Sequence, residues 1–242
     1  MPATTVDLQE LAIVVAAKQH NPSLLNADFL KCSGIIPQEW ELARQPVYAQ
    51  QVAQLVFANG LSLTAQADRI LFVEPMPGKA AQDMLAASVA QKYVAALPNA
   101  DYQAVGINLR GIALPASDPG ATPAALTNRF LAAGPWQEFG KEPVKAGINF
   151  SYLLERGRLL VSVNEVLLQS PDEQTLPALL FAGNFEYDLA AVTENRLAKL
   201  TQAISQWQAD LEIFKDLVNN RFLSGDRQAW SPSAPDLIGI GG

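Results

Sequence analysis

Few of the residues that usually carry chemistry occur in this chain of 242 residues, which has one histidine, His20, and one cysteine, Cys32. A zinc site needs three or four His, Cys or carboxylate ligands, and a Ser/His/Asp or Cys/His nucleophile needs a histidine near its nucleophile. His20 stands beside a predicted helix start and reads as a surface or capping residue. Cys32 reads as a small, half-buried hydrophobe, because Lys31 alone is a weak reason for a lowered thiol pKa. Gly78-Lys79-Ala80 has the end of a phosphate loop, but position 73 is Val where the loop needs Gly, and Ala80 replaces Ser/Thr. No cofactor and no metal are expected.

Carboxylates remain as general acids or bases. Glu155, Glu165, Glu186 and Asp188 lie on or near predicted strands, and two of them could approach across a sheet as a glycosidase pair does. Solvated strand ends account for them equally well. A more distinctive set is the uncharged Asn149, Ser151, Ser162, Asn164 and Asn184, with Glu186 beside it: all occupy the polar side of alternating strands, where they can make directional hydrogen bonds to a partner. The tail beyond Ser224 supplies a second candidate. There Trp230, Leu237, Ile238 and Ile240 stand in a Pro/Gly/Ser-rich segment of the kind used as docking peptides. The terminal Gly241-Gly242 is similar to the end of ubiquitin-like modifiers, and nothing else in the chain is.

The elements that must position these residues follow from hydrophobic periodicity. Val144, Ala146, Ile148, Phe150, Tyr152 and Leu154 alternate with Lys145, Asn149, Ser151 and Glu155. Leu159, Val161 and Val163 alternate with Ser162 and Asn164, and Leu179, Phe181, Phe185 and Tyr187 with Asn184, Glu186 and Asp188. Period two of this kind predicts antiparallel strands with one apolar face. From Thr193 to Phe222 the apolar residues Leu197, Leu200, Ile204, Trp207, Leu211, Phe214 and Val218 recur at alternating intervals of three and four, predicting one long helix that covers that face. Thr193 is its expected cap. Ile213 and Leu217 widen the stripe beyond a coiled-coil seam.

Earlier in the chain, Leu11–Ala17 reads as a strand and Asn21-Pro22 as the start of a short helix. Val47–Ala58 reads as a strand leading to a hairpin at Asn59-Gly60, expected to use positive φ angles. Leu61–Ala65 and Ile70–Val73 follow, then a helix over Ala80–Leu97. The second half repeats the order: a strand over Tyr102–Leu114, a helix start at Thr122-Pro123, three strands, a helix. Leu25, Phe29 and Leu30 match Leu126, Phe130 and Leu131, and Gln38-Glu39-Trp40 matches Gln137-Glu138-Phe139. The expected fold is therefore α+β, an internally duplicated β-α-β-β-β-α unit forming an antiparallel sheet with helices on one face. Residues 1–99 form the first repeat, 100–223 the second, with the long helix at 193–222, and 224–242 a flexible tail. This element order is similar to the saddle of the TATA-box-binding protein, in order alone and without a shared motif. Three hairpin strands per half and an acidic charge depart from it, so no function is carried across.

Composition narrows the functional classes. The net charge is −7 and evenly spread: residues 1–99 carry 6 basic and 8 acidic side chains, residues 100–223 carry 10 and 14. Without a Lys/Arg cluster the chain is a poor ligand for phosphate backbones, and nucleic acid is not an expected partner. No apolar run reaches membrane-span length, Asp7 and Glu10 precede the run 11–17 where a signal peptide would be basic, and one cysteine suits a reducing compartment. The expectation is a cytoplasmic, non-catalytic interaction or assembly protein that offers a polar sheet face and a tail to another protein, with self-association open through sheet edges or the tail. The alternative is a small-ligand-binding or hydrolytic protein with a pocket between sheet and long helix. Trp207 is central in the helix stripe, so Trp207→Ala should lower the unfolding free energy by about 3–5 kcal/mol. An unchanged chemical-denaturation midpoint would mean that the stripe does not face the core.

Overall fold

The computed structural model describes residues 5–114, 130–132, 134–141, 144–169, 175–192 and 194–224. Nine strands, β1 (Asp7–Lys18), β2 (Val47–Ala49), β3 (Val52–Val56), β4 (Ser62–Gln66), β5 (Arg69–Pro75), β6 (Asp101–Ala113), β7 (Gly147–Leu153), β8 (Arg158–Gln169) and β9 (Thr175–Asp188), form one sheet. Their order is β2-β3-β4-β5-β1-β6-β9-β8-β7, and every pairing is antiparallel. The α-helices that lie wholly within the described residues are α1 (Ala27–Cys32), α2 (Ala86–Ala96), α3 (Arg196–Ser205) and α4 (Trp207–Asp216). The α+β class holds, and both halves of the chain share the sheet through the β1–β6 pair.

The register explains how the core is assembled. Leu55, Leu63, Phe72, Ile13, Ile107, Phe185, Leu159 and Tyr152 are successive partners across adjacent strands, so one apolar row runs through most of the sheet. All but Tyr152 are buried. Fully burying one such side chain contributes about 1.5–3 kcal/mol. α2 lies against β1 and β5, and α3 and α4 lie against β6. Leu200, Ile204, Trp207, Leu211, Phe214 and Val218 are buried, so most of the helix stripe is spent inside the chain. A Cβ on Gly183 would come within 2.6 Å of the Phe214 ring, so a side chain at 183 would push α4 off the sheet.

Several elements differ from the sequence expectation. The 193–222 helix is not continuous. It begins at Arg196, with Asn195 in a left-handed conformation (φ 55°) as its N-cap, turns at Gln206 and ends in a π-helical turn at Leu217–Phe222. At the turn the Gln206 amide bonds three residues back to Ala203 O, and the Gln206 side chain accepts from Arg156, a tertiary bond that periodicity does not encode. Thr193, its expected cap, lies outside the described residues. Val47–Ala58 is two strands, β2 and β3, separated by a tight turn, so the first half has four strands after α1 where three were expected. The Asn59-Gly60 turn places only Gly60 at positive φ (91°); Asn59 instead accepts the Leu61 amide through its side chain. The 21–30 helix is a 3₁₀ turn (Pro22–Leu24) followed by α1, each with its own asparagine cap, Asn21 and Asn26. β7 begins at Gly147, three residues later than Val144. Among the described residues no helix is long and apolar enough to cross a membrane.

The expected helix at Ala80–Leu97 also starts late, at Ala86, after a 3₁₀ turn at Ala81–Asp83. Its N-terminus has no local side-chain cap, and a strand residue takes that role. Glu74 of β5 is fully buried and accepts the amides of Leu85 (2.7 Å) and Ala86 (2.8 Å). Lys79 donates to the same carboxylate at 2.8 Å and to Asn59 O at 3.1 Å, joining the β3–β4 turn to the start of α2. A carboxylate at a helix N-terminus is favoured by the dipole, and buried it is tolerable only with such partners. Glu74→Ala strands Lys79 and two amides. It should cost about 3 kcal/mol in urea unfolding, far more than an exposed Glu→Ala.

Candidate functional site: the open face of the sheet

Alternate residues of the strands point away from the apolar row and form a second face. Its central rows can be read from the register. One passes through Val56, Ser62, Val73, Ala12, Asn108, Asn184, Leu160 and Ser151. The next passes through Gln54, Thr64, Leu71, Val14, Gly106, Glu186 and Arg158. A third continues from Glu10 through Arg110, Ala182 and Ser162 to Asn149. Most of these side chains are half-buried or exposed; Ala12, small and central, is shaded by its neighbours.

All six strand residues singled out from the sequence lie on this face. Asn149 is the partner of Ser162, Ser151 of Leu160, Asn164 of Gly147, and Asn184 of both Leu160 and Asn108. Asn184 donates to Glu186 at 3.0 Å, and its Oδ1 is buried without a hydrogen-bond partner among the described residues. Trp230, Leu237 and Ile238 of the tail lie outside the described residues. Charge on the face is sparse and balanced: Arg110 meets Glu10 at 3.5 Å, and Arg158 stands opposite Glu186.

The first half contributes what sequence reasoning missed. Val14, Leu71 and Val73 bring apolar surface to the centre, with Gln54, Ser62 and Thr64 around them; Gln54 donates to Thr64 at 3.2 Å. A signal was present. Leu11-Ala-Ile-Val-Val-Ala-Ala17 and Ile70-Leu-Phe-Val73 are apolar without alternation, the pattern of strands covered on both faces. Asn108, between Ile107 and Leu109, follows the same alternation that located Asn184.

Of the carboxylates singled out from the sequence, Glu155 sits in the β7–β8 turn, Glu165 on β8, and Glu186 and Asp188 on β9. Among the described residues no group of three or more His, Cys, Asp or Glu is placed to hold a metal ion. Asp210 of α4 is fully buried, with Tyr187 Oη 2.7 Å from both carboxylate oxygens and Arg156 donating at 2.9 Å. Burial pushes the Asp210 carboxyl up, against the opposing pull of Tyr187 and Arg156; burial, then Asp210, pushes the Tyr187 phenol up. The phenol therefore stays neutral and donates, and the cluster pins α4 to β9 and the β7–β8 turn. Above it lies a cleft of about 220 Å³ between the 154–158 turn, Phe185, Tyr187 and Ile213.

No family model matches the chain, and no curated protein matches it.

His20 is buried, a correction to its reading as a surface residue. Its Nδ1 lies 3.1 Å from Gln66 O, which can only accept, so Nδ1 carries the proton; Nε2 then accepts from Tyr93 Oη at 2.9 Å. Burial lowers the His20 pKa, while the bond to Gln66 O opposes it. The folded state thus binds fewer protons than the unfolded state just below the ordinary value of 6.5. The stability contributed by neutral His20 is present above that value and is lost as pH falls through the window beneath it. Thermal unfolding followed from pH 7.5 to about 5 should show this loss, and His20→Gln, which can keep both hydrogen bonds, should flatten the slope.

Proposed function

We propose that this protein is a non-catalytic interaction or assembly protein that presents the open sheet face to another protein. One observation carries the reading: β1 and β5 are apolar on both sides, while Ile13 and Phe72 are fully buried and their neighbours Val14, Leu71 and Val73 are only half so. The apolar centre with a rim of Asn108, Asn149, Ser151, Ser162 and Asn184 has the make-up of a protein interface, apolar inside and hydrogen-bonding at its margin. Sparse, balanced charge favours a neutral partner surface over nucleic acid. A cytoplasmic setting and a docking role for the tail, with Trp230, Leu237 and Ile238, belong to the same proposal.

The reading extends to the origin of the face. β1 followed by β5, β4 and β3 on one side mirrors β6 followed by β9, β8 and β7 on the other, with α2 and then α3–α4 closing each half. An internal duplication, with helices packed on one face only, accounts for this order and for a face spanning both halves.

The cleft beside Ile213 supports a second reading, a small-ligand site between sheet and helix, as its walls include Phe185 and Arg158. Its nearest buried carboxylate, Asp210, is fully engaged, which favours binding over hydrolysis. Purification of the native complex separates the readings. Val73→Glu with Leu160→Glu changes two half-exposed positions and should abolish recovery of protein partners without altering the unfolding midpoint. Undiminished recovery would reject the open face as the interface.

A further inference from the structure

We propose that β7 is a self-association edge, through which two copies of this chain join antiparallel about Phe150 and continue one sheet across both. β7 ends the sheet, with β8 on one side and no described strand on the other. The turn after it closes with the Leu154 amide donating to Gly157 O at 2.8 Å. Antiparallel alternation from that bond directs the backbone groups of Tyr152, Phe150 and Ile148 to β8. Those of Gly147, Asn149, Ser151 and Leu153 therefore point outward, where no described strand pairs with them.

Exposed edges in soluble proteins are usually shortened, charged, bulged or interrupted by proline. The opposite edge of this sheet follows that rule: β2 has three residues and is preceded by Arg44 and Pro46. β7 does not. Its seven residues, Gly-Ile-Asn-Phe-Ser-Tyr-Leu, include no charge and no proline, and its register with β8 is unbroken. Leu153 is 87% exposed at its end.

The sequence of β7 also fits itself. A two-fold axis at Phe150 sets Asn149 against the partner's Ser151, Ile148 against the partner's Tyr152 and Gly147 against the partner's Leu153, using the whole strand. The outward backbone groups then meet in hydrogen-bonded pairs. On the open face Asn149 and Ser151 can bond across the junction; on the helix side two Phe150 rings and an Ile/Tyr pair meet, contacts that stabilise cross-strand neighbours. No like charges are opposed. This self-match selects a second copy over an unrelated strand. The junction extends the sheet in its own plane and leaves the open face free, so it stands independently of the function proposed above.

Sedimentation velocity on the full chain, from low to high micromolar concentration, should show a monomer converting to a dimer. Hydrogen exchange should slow at the Asn149 and Ser151 amides as concentration rises. Asn149→Lys with Ser151→Lys places lysine opposite lysine across the axis and should abolish the dimer. Ser151→Pro removes an outward amide that an edge strand does not need, so it should lose the dimer and keep the monomer's unfolding midpoint. A wild-type chain that stays monomeric throughout, or a dimer that survives both substitutions, overturns the proposal.

Discussion

The structure depends on covering one apolar row that runs from Leu55 in β3 to Tyr152 in β7. Strands lie about 4.8 Å apart, so a row across eight of them is roughly 34 Å long, more than one short helix can shield. Two helical systems divide the row between them, with α2 over β1 and β5, and α3 with α4 over β6 and beyond. A twisted sheet is not a flat floor, and a helix interrupted at Gln206 can follow it in two straight segments. Phe222 in the final π-helical turn meets Phe150 and Phe181, bringing the cover to the outer strands.

Burial alone would leave the helices free to slide, because apolar contact has little direction. Three buried polar groups give direction. Glu74 accepts from the start of α2, His20 bonds Tyr93 within α2, and Asp210 of α4 bonds Tyr187 on β9. In each case a strand or strand end holds a helix through hydrogen bonds that would be costly to leave unmade. Cys32 takes no part in this network: read from the sequence as half-buried, it is exposed at the end of α1.

The exposed surfaces follow a different logic. The centre of the open face carries the half-buried apolar residues Val14, Leu71 and Val73, and β7 carries neither a charge nor a proline, two of the devices that keep an edge from pairing. Face and edge lie at right angles to each other, one along the sheet normal and one in its plane. A partner on the face and a second copy on the edge can therefore be accommodated together.

The alternation of Ile148, Phe150, Val161, Val163, Phe181 and Phe185 with Asn149, Ser151, Ser162, Asn164 and Asn184 was enough to predict antiparallel strands and to put all five polar residues on one face. Side-chain direction in a strand is set locally, by the pleat. The three-and-four spacing from Leu197 to Val218 likewise fixed which side of the final helices is buried. Other features needed the tertiary fold, because their causes lie far away in sequence. The late start of α2 depends on Glu74 reaching its amides, and the turn at Gln206 coincides with a bond from Arg156. Burial of His20 depends on Tyr93, more than seventy residues on. Strand order, which makes β7 an edge and sets Val14 beside Leu71 and Gly106, is a matter of long-range pairing. Periodicity reports which face a residue occupies; only the closed network of contacts decides which neighbour it meets there.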